Sequence, residues 1–227
     1  MTTPIVPAVD LSQMFGPIRD QGVRPTCLAF AASDTHASLR THWTPLSCEY
    51  AFYKAQGRAN RSHNTGALLS SMLEVLKEDG QPPESAWQYL SPPIDDASWK
   101  PPAGVTPLFK RNSASKTTTM KDIVAELDQK CPVVVLMTLS PTFFSGGAGP
   151  GLIDADEPTD DSMRHAVVAV GHGTAQNQLA IKIRNSWGAT WGDGGYAWVT
   201  EKYLGPRAFR LAILKEDLSV PSNSAAA

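Results

Sequence analysis

Cys27 follows Pro25 and Thr26 and opens a run, residues 26–39, that is rich in Ala and Leu and free of Gly and Pro. Thr26 is a candidate N-cap there, which places Cys27 in the first helical turn. A thiol in that turn faces the positive end of the helix dipole and backbone N–H groups with no intrahelical acceptor, so its thiolate is stabilised and nucleophilic. Taken alone, Cys27 reads equally as a small buried hydrophobe. A thiolate nucleophile needs an imidazole, and His165 opens the β-rich run His-Ala-Val-Val-Ala-Val. The imidazole needs an orienter, and Asn185 follows Leu179, Ile181 and Ile183 on the inward face of an alternating strand whose other face carries Lys182 and Arg184. An amide oxygen accepting from one ring nitrogen fixes the tautomer and leaves the other to serve the thiol.

The other histidines fit that chemistry less well. His36 is nine positions along the same helix, about 180° round it, and faces away. His42 is on a nearer face but roughly 22 Å further along. His63 sits in a loop of Asn, Ser and Arg, and His172 reads as the middle of a Gly-His-Gly turn. Both fit structural or solvent-exposed roles.

The elements around these residues change type along the chain. Further helices are expected at residues 47–55, 66–78 (closed by Asp79-Gly80) and 120–130. Residues 82–107 hold seven prolines and two tryptophans and read as an extended, packed connector. Strands are expected at 133–139, 166–170, 179–185, 196–200 and 208–214. A helical amino-terminal lobe, about 20–105, thus precedes a β-rich lobe, about 106–215. The whole reads as one α+β domain over 1–220 with a cleft between lobes, followed by a disordered tail, 221–227.

Composition bounds the alternatives. Of 227 residues, 42% are hydrophobic and 19% charged, enough for a substantial core and against global disorder. A net charge of −2 argues against a nucleic-acid surface. With 17 Gly and 18 Pro, the chain is too rich in turn formers for a helical bundle. No stretch approaches the ~20 apolar residues of a membrane span, and residues 1–10, without a basic region followed by an apolar core, do not read as a secretory signal. Three cysteines, Cys27, Cys48 and Cys131, cannot all pair; the odd count suits a reducing compartment, with Cys48 and Cys131 expected as buried thiols. No cysteine spacing suits zinc, and no metal or cofactor is expected.

Gln21-Gly22-Val23-Arg24-Pro25-Thr26-Cys27 followed by Ala29-Phe30 resembles the active-site segment of papain-like cysteine peptidases. His165-Ala166-Val167 is similar to the family's histidine segment, and the Cys27–His165 separation falls in the papain range. Asn185-Ser186-Trp187-Gly188, then Trp191-Gly192 and Gly194-Gly195-Tyr196, resembles its asparagine segment, and Leu46-Ser47 with Asn64-Thr65-Gly66 resembles its helical lobe. The likeness runs from about Val9 to Leu214. It implies a two-lobed fold with a β-barrel-like second lobe. It also implies an oxyanion hole from the Gln21 side-chain amide and the Cys27 backbone N–H, and a Trp187 that covers the Asn185–His165 hydrogen bond. Trp187 is equally an ordinary core tryptophan.

By the same resemblance Gly66 would present backbone groups to an extended peptide, with Ala67 and Leu68 lining a side-chain pocket; Gly66 is equally a loop glycine and Leu68 the start of a helix core. Arg164 faces the cleft or solvent. The family's usual Cys-Gly-Ser-Cys-Trp is here Arg24-Pro25-Thr26-Cys27-Leu28, so Arg24 stands where a bridging half-cystine is usual. Val9-Asp10-Leu11 resembles the start of a mature enzyme, so no inhibitory prosegment is expected here. The implied activity is a thiol endopeptidase acting on protein or peptide substrates. A toxin or effector protease with a cognate immunity or inhibitor protein is one form of it, cytoplasmic or exported without a signal peptide. A deamidase or transglutaminase-like acyl-transfer enzyme, an inactive binding homologue and a purely structural domain stay open.

Overall fold

A computed structural model describes residues 4–92, 94–95, 97–147 and 151–219. The elements run β1 (Val6–Asp10), α1 (Cys27–Ser38), α2 (Cys48–Ala59), α3 (Leu69–Glu74), β2 (Arg111–Lys116), α4 (Met120–Asp128), β3 (Val133–Leu139), α5 (Pro141–Phe144), β4 (Leu152–Ile153), β5 (Asp160–Ala175), β6 (Gln178–Arg184), β7 (Tyr196–Thr200), α6 (Glu201–Leu204) and β8 (Ala208–Asp217). The chain divides into two compact units, Gly22–Ala114 with Leu214–Ala227, and Met1–Gln21 with Ser115–Ile213. The tail expected at 221–227 lies outside the described residues.

In the helical unit α1 is buried almost all round: Leu28, Ala29, Phe30, Ala31, Ala32 and Ala37 are in the core, and so are Ser33, Thr35 and His36. Such a helix shows no amphipathic stripe, because every face has a neighbour. Ser47 caps α2, its hydroxyl accepting from Tyr50 N at 3.0 Å, and Asn60 ends the helix in the left-handed conformation. The third helix is shorter than its composition predicts. It starts at Leu69, and a single π-helical turn, Val75–Asp79, carries it to Gly80 at φ 78°. Residues 66–68 are irregular instead, with Leu68 extended. The Pro-rich connector contains one 3₁₀ turn, Glu84–Ala86, and packs through Trp87 and Trp99, whose rings lie 5.5 and 5.1 Å from that of Tyr53.

The second unit is built on a sheet of order β2-β8-β3-β5-β6-β7-β4, with β1 added alongside β5. Its two ends do not join among the described residues, so the expected barrel is an open sheet. The far end closes nothing because β4 is two residues long and pairs only with β7, in parallel. β3 and β7 cover the residues expected, since both are near-continuous apolar runs buried on both faces. β5 is far longer than its apolar centre: its first part pairs with β3, its last part with β6 and β1.

That extension corrects the reading of His172, which lies in β5 and not in a turn. The flanking glycines are there for β1: a Cβ on Gly171 would stand 2.5 Å from Val9 O, and one on Gly173 2.3 Å from Val6 O. His172 itself meets Asp128, Nε2 to Oδ1 at 2.8 Å. Arg184 is a second correction. It was expected on a solvent face, yet it is 2% exposed, donating to Gly16 O at 3.0 Å, Pro17 O and the Tyr196 hydroxyl. None of the three cysteines is in a disulfide; Cys48 is buried as expected, while Cys131 is only half-buried.

Candidate active site

Cys27 is the first residue of α1. Thr26 precedes it as N-cap, and its side chain makes no capping hydrogen bond. The Thr26 hydroxyl is used elsewhere, 2.7 Å from Tyr89 Oη. Cys27 thus stands in the first turn of a twelve-residue helix, at the positive end of its dipole.

In the other unit, three candidates are joined by hydrogen bonds. His165 Nε2 lies 2.7 Å from Asn185 Oδ1. The same Oδ1 accepts from the backbone N–H of Ser186 at 2.8 Å. A backbone N–H can only donate, so the oxygen of the Asn185 amide must be the atom that faces it. An oxygen there in turn requires the hydrogen on His165 Nε2, which leaves Nδ1 with its lone pair as the basic nitrogen. Ser186 then reaches the last candidate: its hydroxyl donates to Gln21 Oε1 at 2.7 Å, and Gln21 N donates to Ser186 O at 2.9 Å. With its oxygen held, the Gln21 amide has its NH₂ group oriented as a donor. Ser186 belonged to a recognised motif, but its part in tying Gln21 to Asn185 had no signal in residue type or spacing.

The imidazole is buried among aromatic rings. Trp187 lies 4.7 Å from it, Phe143 5.8 Å, and Phe144 stacks on Trp187 at 5.4 Å and 16°. Trp191 donates its indole N–H to Phe143 O at 2.9 Å and holds this group in place. Burial pushes His165 down from 6.5 to about 4, against an opposing pull from the Asn185 hydrogen bond. Left to itself, this imidazole is neutral at physiological pH.

The residues expected to meet substrate, Gly66, Ala67 and Leu68, belong to the helical unit. They form the irregular stretch before α3, with Gly66 exposed and Leu68 43% exposed. Leu68 is therefore not the start of a helix core. The loop ahead of it is fixed by the buried Gln56, whose amide donates to Ser62 O, to Thr65 O at 2.7 Å and to Thr65 Oγ1 at 3.2 Å. Arg164 is exposed, donating to Asp161 O at 3.1 Å and lying over the Phe209 ring. Among the described residues no cluster of His, Cys, Asp and Glu could hold a metal ion, and no helix is long and apolar enough to cross a membrane.

Residues 6–205 match the papain family cysteine protease family, Peptidase_C1, and the chain belongs to it. It is 29% identical over 196 residues to a cysteine protease of Blomia tropicalis, covering 80% of this chain and 56% of that one. It is 30% identical over 194 residues to cysteine proteinase 3 of Entamoeba histolytica, covering 83% and 61%. Xylellain, a cysteine protease from Xylella fastidiosa, superposes with a TM-score of 0.74 at 22% identity over 93% of this chain and 87% of that one. The chain spans 55–61% of the length of the first curated relatives it matches.

Proposed function

We propose that this chain is a cysteine endopeptidase in which Cys27 and His165 act as one catalytic pair. The observation that carries the reading is the hydrogen-bonded series His165–Asn185–Ser186–Gln21, which leaves His165 Nδ1 basic and gives Gln21 a fixed donor. Cys27 supplies the nucleophile from the start of α1. Its proton goes to His165 Nδ1. A buried imidazole driven down to about 4 carries that charge only beside an anion, and the thiolate is that anion.

In the proposed reaction the sulfur bonds to the carbonyl carbon of the scissile peptide. The oxygen takes up the negative charge, met by Gln21 Nε2 and the Cys27 backbone N–H. As the C–N bond breaks, His165 returns its proton to the leaving amine. Water, deprotonated by His165, then cleaves the thioester and restores the thiol. Gly66, Ala67 and Leu68 are proposed to bind the substrate chain, and the half-buried indole of Trp187 to keep water from the His165–Asn185 bond.

The test is Cys27→Ala, expected to abolish both turnover of a peptide reporter and labelling by a thiol-directed epoxide. Retained turnover would refute the assignment. Mass analysis of treated protein separates cleavage from deamidation or acyl transfer on the same groups. A narrower reading, a toxin or effector protease neutralised by an immunity protein, is supported by three cysteines, none in a disulfide, which suit action under reducing conditions. Harmless cytosolic expression of the active chain, with no inhibitor co-purifying, would discard it.

A further inference from the structure

Arg24, three residues before Cys27, is buried at 5% exposure, and Glu49 in the first turn of α2 is fully buried. They meet as a fork: Arg24 Nη1 donates to Glu49 Oε2 at 2.5 Å and Nη2 to Oε1 at 2.9 Å. The remaining lone pairs of Glu49 accept from Leu90 N at 2.9 Å and Trp99 Nε1 at 2.7 Å, while Arg24 Nη1 also donates to Leu90 O at 2.9 Å. The guanidinium lies 4.8 Å from the ring of Tyr89, whose hydroxyl meets Thr26 Oγ1 at 2.7 Å. Both residues just ahead of the sulfur with side chains able to form hydrogen bonds, Arg24 and Thr26, are thus fastened to the 89–90 segment.

A buried ion pair is a poor device for stability alone, because apolar replacements of similar size often hold a fold as well. What a bidentate fork supplies is a fixed geometry. We propose that Arg24 and Glu49 are positioning residues for Cys27, a buried clamp that sets where the sulfur and its backbone N–H stand. This rests on the reading of Cys27 as nucleophile. Misplacing a reacting group by about 1 Å costs on the order of a hundredfold in rate, which sets the scale of the effect.

The experiment compares wild type with Arg24→Met/Glu49→Gln, which removes both charges and keeps one of the two oxygens that accept from Trp99 and Leu90, and with Arg24→Lys, which keeps the charge and loses the fork. Melting temperature, kcat and KM on a peptide reporter, and the pH profile of Cys27 alkylation by iodoacetamide are measured for each. The expected result is a kcat reduced roughly ten- to a hundredfold, a KM within a few-fold, a displaced alkylation profile, and a melting temperature near wild type. A folded double variant with wild-type kcat and alkylation profile overturns the proposal. So does a rate loss that only tracks loss of folded protein. If the double variant does not fold, Arg24→Lys decides: a reduced kcat supports the clamp and an unchanged one overturns it. If wild type turns over no peptide, the peptidase reading fails by itself, and the alkylation profiles still decide the clamp.

Discussion

The backbone N–H of Ser186 and the imidazole of His165 share one acceptor, Asn185 Oδ1, at 2.8 and 2.7 Å. The first contact determines which way the amide points and therefore which nitrogen of the second holds its hydrogen. Removing the acceptor frees the ring to turn and to change tautomer. Asn185→Ala is expected to lower kcat by roughly ten- to a hundredfold, the worth of one buried hydrogen bond of about 1–3 kcal/mol. That is a smaller loss than Cys27→Ala or His165→Ala, and steady-state kinetics on one peptide reporter ranks the three.

Gln21 and Ser186 make a coupled pair. Gln21→Ala deletes the proposed oxyanion donor and should cost on the order of 10²–10³ in kcat. Ser186→Ala leaves the donor but releases its orientation, and about tenfold is expected. In the double variant the Ser186 change should add little, since it acts only through Gln21 Oε1. A double-mutant cycle with additive losses would contradict this.

Acid should weaken the fold from the neutral side. Burial holds His36 down to about 4, from 6.5; the Gln81 hydrogen bond at 3.0 Å and Asp217 pull upward, while Arg111 and Arg40 add to the downward push. Between about 6.5 and about 4 the unfolded chain therefore binds a proton that the folded chain does not. Stability is intact above 6.5 and falls as pH drops through that window, by on the order of 3 kcal/mol at its end. Urea unfolding across pH 4–7 measures it, and His36→Gln should flatten the slope. An unchanged slope in His36→Gln would contradict the assignment of this imidazole as buried and neutral.

A fourth test concerns the sheet. A methyl group on Gly171 or Gly173 would stand 2.5 or 2.3 Å from the carbonyl oxygens of Val9 or Val6, and backbone cannot yield as a flexible side chain can. Gly173→Ala should displace β1 and cost roughly 1–3 kcal/mol. Gly57, with open space around its Cβ direction, is the control, and Gly57→Ala should stabilise or leave the melting temperature unchanged.

The parts of the molecule legible in its sequence are those written in one stretch. β3 and β7 declare themselves as uninterrupted apolar runs, and α1 by its freedom from Gly and Pro together with the thiol at its start. Cys27, His165 and Asn185 each follow from residue type in such a context. β1 and β2 do not. Val6–Asp10 contains a proline and is half exposed, and Arg111–Lys116 is almost wholly polar; each is a strand only because of a distant partner. Arg184 looks like a surface residue until the carbonyls of Gly16 and Pro17 are brought to it. The third helix starts at Leu69 and not at Gly66; the turn ahead of it is tied to Gln56, ten positions before Gly66, a contact that no local pattern announces. Ser186 is the clearest case inside the site, since its role depends on what Gln21 does across the whole length of the chain.

With both charged groups of the Arg24–Glu49 pair out of water, dissolved salt has little power to screen their attraction. With no sulfur involved, electron donors have nothing there to reduce. A buried pair at this place is thus far less sensitive to ionic strength and to the redox poise of the medium than a surface ion pair or a disulfide would be there.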